Sequence, residues 1–492
     1  MSPDSSVSPT ASLQWVFAPS PADNAVGFTA RLLSTLLSRT AVIVNPERAL
    51  PDRHLPTIWY LEERPPDRPA VLWIHPDREF WNRVATGADI TPRSTAEWGQ
   101  TLYPVWGRIG GREEGCCPVD PIAASFFHVS RIEEWRSQSM DRHRRYPAEE
   151  AWMVRTALIE RPLVHDYAAG VGRALHLTHP IAREAVPWPG GRRFAVAFTH
   201  DIDRMAMHGP LWQDIGRAVK GLRSPGGIGA AIRRFRSRRR VRRGARDPFD
   251  TFARLIDLHH QHGFRATFFI INASPSRRNA DYAISRPDVV QLLKLLRGRG
   301  FEIGLHASYE CLEHPERLAS ELSGLISLSD GPVETVRQHY LRLQAARTWK
   351  VQCEAGLQAD TTLGFASRFG FRAGLAVPFQ PWDFASNRPF DIWEVPLIMM
   401  DGTAREYMRL SPQEAGERSR HIIGCIAEVG GGASLLWHNS SLDDVDWPGW
   451  DEVYEGWLDE TSSRNGWGAT LSAIVAVWKE RVGRLGNGPS TC

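Results

Sequence analysis

The sequence predicts an α/β protein whose larger part is a closed or nearly closed barrel of parallel βα units, preceded by a separate α/β region. Three observations predict it. The run FAVAFTHDID, from Phe194 to Asp203, is continuously apolar until it ends in two carboxylates, as expected of a strand buried on both faces. Further short β-like runs follow, separated by helical or loop stretches, about seven in all. Ionisable side chains fall at the exits of several of these runs, where parallel barrels carry their chemistry.

Taken in order, the upstream part offers a strand-like Ala70-Val-Leu-Trp-Ile74 and helical stretches around Ile122 to Ser137 and Ala148 to Leu158, with no catalytic constellation of its own. Pro and Gly cluster in Val186-Pro-Trp-Pro-Gly-Gly191, which places a boundary there: residues 1–186 form one α/β domain and residues 187–492 the barrel. The barrel runs are FAVAFTH, ATFFIIN from Ala266, FEIGLHA from Phe301, VETVRQHY from Val333, LGFASRFGFRAG near Leu363, IWEVPLI from Ile392 and ASLLWHN from Ala433. Asp201 and Asp203 end the first, His306 the third, Arg337 and His339 the fourth and His438 the last. Four such exits converge on one site.

Composition limits the alternatives. With 492 residues, 42% hydrophobic and 23% charged, the chain is neither disordered nor fibrous, and it is long enough for two domains. The formal net charge of +3 hides an imbalance, because residues 217–246 hold twelve Lys/Arg and no Asp/Glu, leaving 47 basic against 56 acidic residues elsewhere. This Arg-rich insertion lies between the first two barrel strands. It reads first as a solvated, poorly ordered insertion and second as a contact for anionic lipid or phosphate. Without interleaved aromatics it predicts no specific nucleic-acid surface. The N-terminus lacks the pattern of a secretory signal and no apolar stretch spans a membrane, so a cytoplasmic location is expected. Six cysteines without CxxC spacing predict neither a disulfide framework nor a zinc knuckle.

THDID, the ATFFI and EIGLH strands, RQHYLR and the terminal LLWHN resemble, in order and spacing, the motifs of the polysaccharide deacetylase family, the NodB-homology or carbohydrate esterase family 4 group. The resemblance runs from about Arg192 to the C-terminal helix. Upstream, DPIAASFFHVSRIEEW and DRHRRYPAEEAW are similar to an uncharacterised domain that precedes one branch of these proteins, which supplies no function. The resemblance implies a distorted (β/α)7-type NodB-like barrel and metal-dependent removal of an N-acetyl group from a saccharide or glycoconjugate precursor, with metal-bound water attacking the amide carbonyl. Amide hydrolysis near neutral pH needs a polarised carbonyl, an activated water and an acid for the leaving amine. By the resemblance, Asp203 and His306 are metal ligands, Asp201 is the general base, His438 the general acid and Arg337 the residue that orients the base. The N/O ligand set favours Zn²⁺ among divalent metals.

The chain departs from the family pattern at two places. The second metal histidine, expected four residues after the first, is replaced by Glu310; His339 is the first choice for the third ligand, with Glu310 and His314 as alternatives. Ile202 separates two acids that the commoner motif places side by side. Each residue also has a plainer reading: His306 and His438 as hydrogen-bonded core histidines, Asp201 and Asp203 as helix caps, His200 as a strand neighbour facing away. Two carboxylates at a buried strand exit are nonetheless costly without a cation. Trp447, Trp450 and Tyr340 are the expected saccharide contacts, whereas Trp393 and Trp437 read as core. Two rival functions stay open: a non-catalytic carbohydrate-binding protein on a degenerate barrel, and a hydrolase of a non-sugar amide.

Overall fold

The apolar run that opens the barrel forms strand β8 (Phe194–Ile202), and all nine of its residues are buried. A strand without a solvated face belongs in the middle of a covered parallel sheet, and β8 has neighbours on both sides. In a computed structural model of the chain, residues 12–17, 22–44, 56–62, 72–107, 116–175, 188–212, 215–216 and 227–487 are described. The expected boundary at Val186 and Pro187, residues 1–11 of the N-terminus, and the first ten residues of the Arg-rich insertion lie outside them.

Upstream, β1 (Ser12–Phe17), β2 (Thr40–Val44), β3 (Thr57–Tyr60) and β4 (Leu72–Ile74) build a parallel sheet. An antiparallel hairpin, β5 (Ser94–Trp98) and β6 (Thr101–Val105), follows; β7 (Cys116–Cys117) then completes the order β2-β1-β3-β4-β7. The helix Pro121–Val129 begins where Asp120 accepts hydrogen bonds from the Ile122 and Ala123 N–H groups, with Pro121 at the first helical position.

The barrel strands are β8, β9 (Thr267–Ile270), β10 (Glu302–Ala307), β11 (Thr335–Gln338) and β12 (Ala359–Asp360), each parallel to the one before. After a short hairpin of β13 (Trp382–Asp383) and β14 (Arg388–Pro389), one segment supplies both β15 (Trp393–Glu394) and β16 (Leu397–Met400). Its first half pairs with β12 and its second half with β17 (Gly432–Leu436), which returns to β8. The sheet therefore curls until a single bent segment carries both of its edges. β18 (Gly466–Ala469) adds to the first half of β8.

Two expectations need correction. LGFASRFGFRAG contains no strand; its Phe365 and Arg368 make only an isolated bridge, and the sheet position belongs to Ala359–Asp360 just before it. The described part of the Arg-rich insertion is a helix, Gly227–Val241, rather than a poorly ordered stretch, although most of its side chains are exposed. Arg234 pairs with Asp446 at 2.7 Å, Arg233 donates to the Val445 carbonyl at 3.0 Å, and Arg238 donates to the Gly209 carbonyl at 2.7 Å. Apolar packing is continuous between the upstream sheet and the barrel, one buried cluster running from Leu13 to Val482. Phe371 N–H donates to the Ile159 carbonyl at 2.7 Å; beside it Gly370 has φ 137°, and a Cβ there would meet that oxygen at 2.3 Å. Among the described residues no helix is long and apolar enough to cross a membrane.

Candidate metal centre and its flanking residues

Alternation along β8 sends Asp201 into the barrel and His200 outward, where its Nδ1 lies 2.8 Å from the Trp437 carbonyl and its Nε2 3.0 Å from His259. Asp203 follows just beyond the strand. β10 brings His306 beside it and β11 brings Arg337, in register with His306, and then His339. The Asp203 Oδ1 to His306 Nε2 distance is 3.5 Å, and Asp203 Oδ2 lies 3.4 Å from His339 Nε2 and 3.7 Å from His438 Nε2.

Asp203, His306 and His339 each offer a ligand atom, and these atoms lie within 4.8 Å of one another. The residues fit a divalent cation. His306 Nδ1 donates to the Arg337 carbonyl at 2.9 Å, which leaves the Nε2 lone pair facing the carboxylates. His306 Nε2 and Asp203 Oδ1 are buried without a hydrogen-bond partner, a costly arrangement that a cation would relieve. Of the alternatives, Glu310 accepts from Asn279 at 2.8 Å and the exposed His314 lies 3.2 Å from Glu316; neither joins the cluster.

Asp201 Oδ2 lies 3.4 Å from His306 Nε2, and its Oδ1 is taken by Arg337, whose Nη1 donates to it at 2.8 Å. The guanidinium is wholly buried and satisfied elsewhere: Nε donates to the Thr361 carbonyl at 3.0 Å, Nη2 donates to Ser434 Oγ at 3.1 Å, and the Phe269 ring lies 4.6 Å away. Burial pushes the Asp201 carboxyl up, but the charges of Arg337, His306 and His438 outweigh it and hold the group below its ordinary value. For Asp203 burial is again opposed, here by His339 and His306, and the net value lies well below the usual range. Both acids are ionised at neutral pH.

His438 stands at the exit of β17. Its Nδ1 donates to Asp401 Oδ1 at 2.8 Å and its backbone N–H donates to Asp401 Oδ2 at 3.0 Å. Burial lowers its pKa, but Asp401, Asp203 and Asp201 raise it further, to about 10. Its Nε2 therefore carries a proton beside Asp203. Sequence reasoning missed Asp401, although it ends the strand Leu397–Met400 as the other acids end theirs; the same rule of ionisable exits would have found it.

Among the expected saccharide contacts, Tyr340 lies beside the cluster, its ring tilted 60° to that of His339 with centroids 4.6 Å apart. Trp447 is half-buried, with the Arg405 guanidinium 4.1 Å over its ring. Trp450 does not fit that expectation: it is 4% exposed, because it opens the helix Trp450–Ser463 and packs 6.4 Å from Trp437 and 5.3 Å from Trp447. Trp393 and Trp437 are buried.

Residues 17–180 match a family of unknown function, DUF7033. No protein of curated function matches the chain. Among solved structures, it is similar to a Mycobacterium smegmatis protein assigned as a polysaccharide deacetylase (16% identity, TM-score 0.38, 61% of this chain and 94% of that one). It is also similar to a family 4 carbohydrate esterase from Streptomyces lividans (12%, 0.30, 57% and 95%) and to a mutant of a CE4 family pseudoenzyme (9%, 0.30, 57% and 67%). Likenesses of this degree are too low to bear on activity.

Proposed function

We propose that the chain is a metal-dependent hydrolase that removes an N-acetyl group from a saccharide or glycoconjugate precursor. One observation carries the reading: the unpartnered Asp203 Oδ1 and His306 Nε2, with His339 beside them, are flanked by a carboxylate held by an arginine and by an imidazole held by a carboxylate. Zn²⁺ suits this N/O set, and a divalent cation there supplies Lewis-acid polarisation of a carbonyl and a lowered pKa for water.

The protein residues divide the proton chemistry. Arg337 occupies Asp201 Oδ1 and leaves Oδ2 to take a proton from the attacking water. Protonated His438, oriented through Nδ1 by Asp401, presents Nε2 to the leaving amine and donates to it. Base and acid keep distinct protonation states because one neighbours a guanidinium and the other a buried carboxylate. Tyr340 and Trp447 supply aromatic faces for a pyranose ring.

The test is acetate release from N-acetylated chito-oligosaccharides and nucleotide-linked GlcNAc by the full chain loaded with Zn²⁺ or Co²⁺, compared with Asp201→Asn. Release by the wild type, reduced ~10²–10⁴-fold in the variant, is expected. No release with any divalent metal, together with tight saccharide binding by metal-free protein, would replace the hydrolase by a carbohydrate-binding role.

A further inference from the structure

The segment Asp141–Tyr146 lies within the upstream region, yet it touches the loops that follow β10 and β11. Asp141 organises it: Oδ1 accepts from the His143 and Arg145 N–H groups at 2.8 and 2.9 Å, and Oδ2 accepts from Arg145 Nε at 2.8 Å. The buried Arg145 guanidinium then reaches across to the barrel, Nη1 donating to the Tyr340 carbonyl at 2.8 Å. A second link runs the other way. Arg342 Nε donates to the His143 carbonyl at 2.9 Å, while its guanidinium lies 3.8 Å over the Tyr309 ring and pairs with Glu313. The His143 ring stands 4.9 Å from that of Tyr340.

The carbonyl that Arg145 holds belongs to the residue after His339. Tyr340 and the next residue, Leu341, have φ of 60° and 53°, a left-handed region that side chains larger than glycine seldom enter. Two such residues in succession turn the chain sharply at the end of β11. The turn keeps the His339 ring 4.7 Å from that of His306, with its Nε2 directed at Asp203. Such a backbone persists where the surroundings over-determine it, and Arg145 and Arg342 tie it from both ends.

We infer that Arg145 is a positioning residue for the ligand His339, so that segment 141–146 of the upstream region is a working part of the metal site. The inference rests on the proposal that Asp203, His306 and His339 hold a divalent cation. It gives the stretch matched to a family of unknown function a role, that of fixing the geometry of a site whose ligands all lie in the barrel.

Co²⁺ titration of the full chain, followed by visible absorption, tests it with wild type, Arg145→Ala, Arg145→Lys and His339→Ala. Lysine can keep the ion pair with Asp141 but lacks the planar fork that also reaches Tyr340, so it separates positioning from folding. Both Arg145 variants are expected to bind Co²⁺ ~10–100-fold more weakly, with ligand-field bands at saturation displaced toward those of His339→Ala. Should Arg145→Ala fail to fold, Arg145→Lys decides. Wild-type affinity and bands in Arg145→Lys, alongside lost binding in His339→Ala, overturn the inference and leave the metal reading intact. No Co²⁺ binding by the wild type, or undiminished binding by His339→Ala, overturns both.

Discussion

Replacing Glu134 by Gln tests how firmly the upstream region is joined to the barrel. Glu134 is buried, and its Oε1 accepts from Arg131 Nε and Nη2 at 2.9 and 2.6 Å and from Arg372 Nε at 2.8 Å, while Oε2 accepts from Arg372 Nη2 at 2.6 Å. Arg372 comes from the barrel; Arg131 and Glu134 come from upstream. Burial pushes the Glu134 carboxyl up, but the two guanidiniums pull it further down, from 4.5 to about 2. At 1.36 kcal/mol per pKa unit that difference corresponds to about 3 kcal/mol, of the order expected for breaking a buried ion pair. The amide also turns donors toward a guanidinium that needs acceptors. Urea unfolding at pH 7, followed by tryptophan fluorescence, should therefore show Glu134→Gln less stable by about 3 kcal/mol. Because the folded pKa is depressed, the contribution is complete above the unfolded value of 4.5 and is lost as pH falls toward about 2, so the gap between the two proteins should narrow over that interval. A gap below about 1 kcal/mol at pH 7 would refute the reasoning.

Trp450→Ala should cost ~3–5 kcal/mol in the same unfolding assay because it empties a buried site, whereas Trp447→Ala should stay near wild-type stability and raise KM for a saccharide substrate; equal stability losses would contradict the assignment. Burial holds the His165 imidazole down at about 3 against 6.5, so the unfolded chain takes up the proton first and stability falls as pH drops from about 6.5 toward 3. His165→Gln, which keeps an acceptor for the Ala376 N–H, should flatten that fall by up to ~1.4 kcal/mol per pH unit; parallel curves would show that His165 is not the titrating group.

The strands that carry the candidate site were legible because parallel strands buried on both faces have to be apolar runs, and charged exits interrupt them conspicuously. β8, β9, β10 and β11 each lie within the expected runs, and β17 begins one residue before its own. LGFASRFGFRAG misled because apolar content without strand alternation also describes a loop packed under a core, here against Ile159 and Leu397. Trp450 misled because the local sequence DWPGWDE reads as an exposed turn, while its burial depends on Trp437, just past β17. The Arg-rich stretch departs from expectation in its order, though not in its exposure, for a similar reason: its acceptors Asp446, Val445 and Gly209 are distant in sequence or fold back from a separate loop.

By itself the sequence determined which side chains are available at the barrel mouth, since residue type and strand period decide which exits carry Asp, His and Arg and which neighbour faces inward. It left three candidates for the third ligand, and it pointed to no role for residues 141–146. Tertiary structure brings His339, rather than Glu310 or His314, beside Asp203 and sets residues 141–146 against the turn that follows it. His339 leaves β11 beside Asp203, two left-handed residues turn the chain after it, and the groups that contact that turn, Arg145 and Arg342, sit nearly two hundred residues apart. Side-chain period is a local property of the backbone, whereas convergence of ligand atoms depends on loops whose conformation is stabilised by partners far away in sequence.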